Sequence, residues 1–275
     1  MRFAIIILTL LLHSAFCFSQ KDILTQESSF TLEKKIQGDF IYFNTDLLGN
    51  IYAITKSGQL RKMNAAGDSI ASYNEVKKYG QPTLVDVSNP MKILVFYKPY
   101  GIIVTLDRLL TFRNSINLRN KQYFNVSSAA TTYDNQIWIF DGGEQKIKKL
   151  DDEGTLISEG QDLRLVSDEL PESSTLLDNQ KQLLLYDAGK GFYVFDILGG
   201  YKNLLPFKGW QDVGISGNNI YGFQKGRLLS YELQTLQLRE YAMPEISKCK
   251  SMKVMNGKLY LLKDDGIEVY IIKMN

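Results

Sequence analysis

From about residue 40 the chain alternates short apolar runs with polar turns, and nowhere after residue 20 sustains the three-to-four spacing of a capped helix. A strand-like core recurs as Asn50-Ile51-Tyr52, Lys92-Ile93-Leu94, Gln136-Ile137-Trp138, Gln182-Leu183-Leu184, Asn219-Ile220-Tyr221 and Lys258-Leu259-Tyr260. The middle residues (51, 93, 137, 183, 220, 259) lie 42, 44, 46, 37 and 39 positions apart. A period near 40 built only from strand signals predicts a β-propeller rather than a helical solenoid.

Each repeat divides into four strands. In the third they fall near Ser127–Tyr133, Gln136–Asp141, Lys146–Leu150 and Thr155–Ser158. Asp134-Asn135, Ser216-Gly217-Asn218 and Asn256-Gly257 separate first from second strands, and Ala66-Gly67, Glu153-Gly154 and Gly199-Gly200 separate third from fourth. These residue types tolerate the positive φ of tight hairpins. Second strands such as Ile93–Tyr97 and Leu183–Tyr186 are nearly unbroken apolar runs, the pattern of strands covered on both faces. The expected blades are 38–80, 81–124, 125–171, 172–208, 209–247 and 248–275. The sixth has no outer strand of its own. Phe30–Ile36, a strand-like segment without a repeat, completes it by pairing with Ile267–Ile272 and so closes the ring.

Ahead of this domain, Arg2, the apolar run Phe3–Leu12 and small residues at Cys17 and Ser19 read as a signal peptide, 1–19, cut before Gln20. The apolar run is short for a membrane span, and no second one follows it. Export to the periplasm, outer surface or medium is the expectation; the Ser-Gln ending resembles leaders of Bacteroidetes-type bacteria. Cleavage leaves Cys249 without an intramolecular disulfide partner and removes His13, the single histidine. Ser-His-Asp triads, Cys-His pairs and imidazole zinc sites are then excluded within one chain. No phosphate loop, EF-hand loop or Cys-x-x-Cys is present, so no cofactor or metal is expected. The formal charge of +2 (32 basic, 30 acidic) gives no field that would draw nucleic acid.

The stretch NQIWIFDGGEQKIKKLDDEG (135–154) resembles an NHL-type repeat, and LGNIYAITKSGQLRKMNAAG (48–67) is a looser copy without the Asp. The resemblance implies a six-bladed propeller of the broad NHL/TolB-like type. It implies no chemistry, because that architecture hosts binding scaffolds, lyases and hydrolases alike.

Two candidate surfaces follow. The turns between second and third strands contribute Lys56, Lys98, Lys146, Lys190, Lys225 and Lys263, and blade-joining segments on the same face add Tyr123 and Trp210. This is the expected basic, aromatic rim for an envelope protein or an anionic glycan. Asp86 and Asp212, on the innermost strands of blades two and five, are expected to face one another across the channel. Glycoside hydrolysis needs such carboxylates within roughly 6.5–9.5 Å for inversion. The favoured reading is a non-catalytic exported scaffold. The competing one is a carbohydrate-active enzyme or glycan-binding protein.

Overall fold

The computed structural model describes residues 24–26, 28–172, 175–243 and 249–274; the expected leader lies outside them. Six antiparallel sheets follow one another around a ring. Blade one comprises Phe40–Thr45, Ile51–Thr55, Leu60–Met63 and Ser69–Tyr73. The innermost strands of the next five blades are Leu84–Asp86, Val126–Thr131, Thr175–Asp178, Gln211–Ser216 and Ser251–Met255. Helical structure among the described residues is limited to single turns such as Val76–Tyr79 and Arg119–Lys121 in the blade connections.

The ring closes as the repeat requires. Ser28–Gln37 runs antiparallel to Gly266–Met274, with Phe30 opposite Ile272 and Ile36 opposite Ile267. One feature escapes the sequence pattern: Leu24–Gln26 adds a parallel fifth strand to blade five, outside Leu238–Ala242. The amino-terminal segment therefore straps two neighbouring blades.

Second strands are buried because each sheet is sandwiched between its neighbours, and the core divides accordingly into six clusters at blade joints. Tyr52, Ile54, Val85 and Val95 pack blade one on blade two, and Trp138, Phe140, Leu183 and Leu185 pack three on four. The last joint buries Ile36, Tyr260, Leu262 and Val269 of blade six against Phe40, Phe43 and Ile51 of blade one. Since apolar burial is the main favourable contribution to folding, the ring is stabilised joint by joint.

Candidate functional site

The innermost strands carry the channel, and their cross-strand register defines its layers. Asn44, Asp86, Ala130, Leu177, Gly214 and Lys253 pair with Tyr52, Leu94, Trp138, Leu184, Tyr221 and Tyr260, the residue after each repeat's central Ile or Leu. These six form one layer. The next layer, toward the turns between first and second strands, is Thr45, Val87, Thr131, Asp178, Ile215 and Val254.

Side chains of the first layer stitch blades together. Asn44 Nδ2 donates to the Val85 carbonyl at 2.9 Å, the Thr131 amide donates to Asp86 Oδ2 at 2.6 Å, and Lys253 Nζ donates to the Val213 carbonyl at 3.0 Å. Asp86 also accepts from the Ser88 amide and hydroxyl, both at 3.0 Å. Burial in the channel wall holds the Lys253 ammonium below the usual lysine range, partly offset by the charge of Asp212.

This register corrects the expected carboxylate pair. The position equivalent to Asp86 in blade five is Gly214, not Asp212. Asp212 lies toward the opposite end of the channel, at a bulge between Gln211 and Gly214 with φ of 50°, and accepts the Met252 amide at 3.0 Å. Burial raises its pKa above the ordinary aspartate value. A bulge changes which residue meets a given layer, and the strand count alone does not reveal it.

A cavity of about 390 Å³ opens at the second layer, on the face of the turns between first and second strands. Its wall includes Thr45, Asp46, Thr131, Tyr133, Asp178 and Met255, and a smaller recess beneath it reaches Asp86 and Lys253. Burial lifts the Asp178 carboxyl to about 6; the Gln180 amide, at 2.6 Å, and Trp138 favour its ionised form, while the charge of Asp86 opposes it. Of its lining, Leu47 and Tyr133 are exposed; Leu48 and Met91, the chain neighbours of lining residues Leu47 and Pro90, are exposed too, Leu48 71% accessible.

The lysine rim is at the other end of the strands. Lys56 pairs with Asp39 at 2.7 Å, Lys190 approaches Glu169 at 3.9 Å and Lys263 pairs with Glu268 at 2.6 Å. Lys98 and Lys225 occupy the corresponding turns, Lys225 with φ of 50°. The two aromatic members are not free platforms. Tyr123 is half-buried with Lys148 Nζ 5.1 Å from its ring centroid, and Trp210 is 4% exposed, stacked on Phe207 at 5.1 Å. Trp210 is an anchor of the joint between blades four and five, because a large indole gains more from burial there than from standing in water. The cavity itself was missed by the sequence reading; its one available signal was the polar Thr, Asp and Asn residues ending several innermost strands.

No protein-family model and no curated protein matches the chain. Among solved structures it is similar to a streptogramin B lyase, with a TM-score of 0.54, 10% identity and coverage of 90% of this chain and 97% of that one. A catalytically inactive virginiamycin B lyase from Staphylococcus aureus with quinupristin gives 0.59 at 11% identity, covering 89% and 98%. The Cps50 (Swd1) β-propeller domain of Myceliophteria thermophila gives 0.57 at 10%, covering 88% and 99%. At such identities these likenesses show the fold. The chain is a six-bladed β-propeller; among its described residues no helix is long and apolar enough to cross a membrane.

Proposed function

We propose that this chain is an exported, NHL/TolB-like binding propeller of a bacterial envelope that recognises a protein partner through the cavity-bearing face. The apolar residues at the mouth carry the reading: Leu47 and Tyr133 stand exposed in its lining, and Leu48 and Met91 stand exposed next to lining residues Leu47 and Pro90, the arrangement of an interaction surface with a central pocket. A rigid ring offers such a surface with little ordering cost on association. A scaffold is favoured over a hydrolase because Asp86 and Asp212 occupy different levels and each is held by a backbone amide of the following blade. A lyase likeness adds no chemistry: one of the similar lyases is described as an inactive His-to-Ala variant, and this sequence has no histidine beyond residue 13. The test is affinity capture from envelope extract with Leu48→Asp and Met91→Asp, against Lys98→Glu and Lys190→Glu. Loss of the same captured protein only with the first pair is expected. Loss only with the second pair, or hydrolysis of a glycan by the wild type, overturns the reading.

A further inference from the structure

The channel mouth is chemically two-sided. In the cavity itself blades one, three and four contribute Thr45, Asp46, Thr131 and Asp178, whereas blades five and six contribute Ile215 and Met255; the recess beneath adds Asp86 of blade two and Lys253 of blade six. Asp86 and Asp178 take hydrogen bonds only from neutral donors, and neither has an ion-pair partner among the described residues. Thr45 and Thr131, each 2% exposed, have hydroxyls with no hydrogen-bond partner. Buried polar groups normally find one, so the wall enclosing the cavity holds polar atoms that the chain leaves unpaired.

We propose that this cavity receives one lysine or arginine side chain of the protein partner, its cationic head against Asp178 and above Asp86 and its aliphatic stem along Ile215 and Met255. The inference rests on the mouth being the recognition face and adds the chemistry of its centre. Basic side chains are themselves two-sided, an apolar stem and a strongly solvated head, and an acid arc opposite an apolar arc matches both parts. The volume of about 390 Å³ suits such a guest and is far larger than a bare ion needs. The apolar residues at the mouth exclude water from the seated head, which strengthens its attraction to the carboxylates.

The surrounding charges are compatible. Asp134 of blade three is neutralised by Lys149 at 2.6 Å, Lys181 reaches toward Asn218 at 3.4 Å, and Lys253 is held at the deeper level by the Val213 carbonyl. Lys92 is buried and paired with Asp152 and the Asn135 carbonyl, and Lys62, which bonds the Arg108 carbonyl at 2.8 Å, feels the charge of Asp46. Burial lifts the Asp178 carboxyl to about 6, so a cationic guest binds best once it is ionised.

The experiment titrates the purified protein with Nα-acetyl-lysine methylamide and its arginine analogue, followed by calorimetry and NMR, with norleucine and glutamate analogues as controls. The basic probes should bind at least about tenfold more tightly than norleucine, a difference of one strong charge-assisted contact. Asp178→Asn, checked for unaltered melting, should weaken them while leaving norleucine unchanged. For the wild type, a Kd that tightens about tenfold from pH 5 to pH 7 is expected from a carboxyl near 6, and needs no variant to fold. Equal binding of lysine and norleucine analogues, or a Kd independent of pH, overturns the inference. A partner captured at Leu48 and Met91 but indifferent to Asp178→Asn overturns it too, while leaving the recognition face in place.

Discussion

Lys35 Nζ lies 2.5 Å from Glu268 Oε1, joining the amino-terminal strand to its register partner on the last one. Glu268 also accepts from Lys263 at 2.6 Å and from the Tyr270 hydroxyl at 2.8 Å, and is only 4% exposed. Burial alone would push its pKa up, but the hydrogen bonds from Lys263, Lys35 and Tyr270 win and hold it at about 2. A carboxylate lowered in the folded state stabilises above its unfolded value of about 4.5, and that contribution is lost as pH falls toward 2. Glu268→Gln should therefore cost about 2 kcal/mol at pH 7, a value moderated by the exposure of Lys35. The gap in Tm between wild type and variant should shrink from pH 5 to pH 3. A gap of constant size would show that the carboxylate charge is not what matters.

The same strand tests the closure. Ser28–Gln37 supplies the outer strand of blade six and places Ile36 in the joint with blade one, whereas Leu24–Gln26 adds three residues to an already complete sheet. A chain beginning at residue 38 leaves that joint and the edge of Gly266–Met274 uncovered, so loss of cooperative unfolding, or aggregation, is expected. A chain beginning at residue 28 should melt within about 5 °C of the full protein, since only a few surface ladder bonds are removed. Urea and thermal melts of the two truncations decide. Equal stability of both would refute ring closure as the main constraint.

The blade number, the strand assignment and the closing pair were all legible because they rest on period and alternation, which local residue types enforce. The site was not. Asp86 and Asp212 look symmetric in sequence, six-fold counting sets them opposite, and a single bulge with positive φ at Asp212 removes the match. Lysines recur at every second turn because charge suits a solvated hairpin, so their regularity describes the turn rather than a ligand. Lys56, Lys190 and Lys263 are moreover answered by Asp39, Glu169 and Glu268, carboxylates that no lysine count reveals. The parallel strap at Leu24–Gln26 has no amphipathic signature, being fixed by backbone pairing with Arg239–Tyr241.

Trp210 gives a prediction that separates anchoring from recognition. Its ring stacks on Phe207, meets Phe192 edge-on at 5.7 Å, and its carbonyl accepts the buried Tyr186 hydroxyl at 2.7 Å. Gly222 lies beneath it: a Cβ there would come within 2.5 Å of the indole Cε3. Trp210→Ala should cost about 3–5 kcal/mol by opening a cavity, and Gly222→Ala should destabilise through the opposite fault, forcing the ring from its seat. Urea unfolding measures both. Partner capture by the fraction that stays folded should be unaffected, and a stable Trp210→Ala that loses the partner would restore a recognition role.

Blade three holds a charge cluster whose contribution is best read by removing one member at a time. Lys148 Nζ is 2.9 Å from Asp141 Oδ2 and 2.8 Å from Glu144 Oε1, and both Lys148 and Asp141 are buried. Burial disfavours the ammonium, but the hydrogen bonds it donates to its two carboxylates outweigh this and raise the Lys148 pKa. Asp141 also receives the Gly143 amide at 3.0 Å and the Glu144 amide at 3.2 Å, so it shapes the turn as well as the pair. Asp141→Ala leaves a buried ammonium facing only the exposed Glu144, and should cost about 3–5 kcal/mol. Lys148→Met removes the charge and keeps the stem against Tyr123, and the double variant Asp141→Asn with Lys148→Met should recover most of the loss, since a neutral pair needs no solvation. With its pKa raised in the folded state, Lys148 contributes fully below the unfolded lysine value and loses that contribution only as pH rises through the folded one, so the contribution of Lys148 should be flat across the neutral range. A double-mutant cycle in urea at pH 7 measures the coupling; additive losses from the two sites would show that the ion pair contributes nothing beyond its separate contacts.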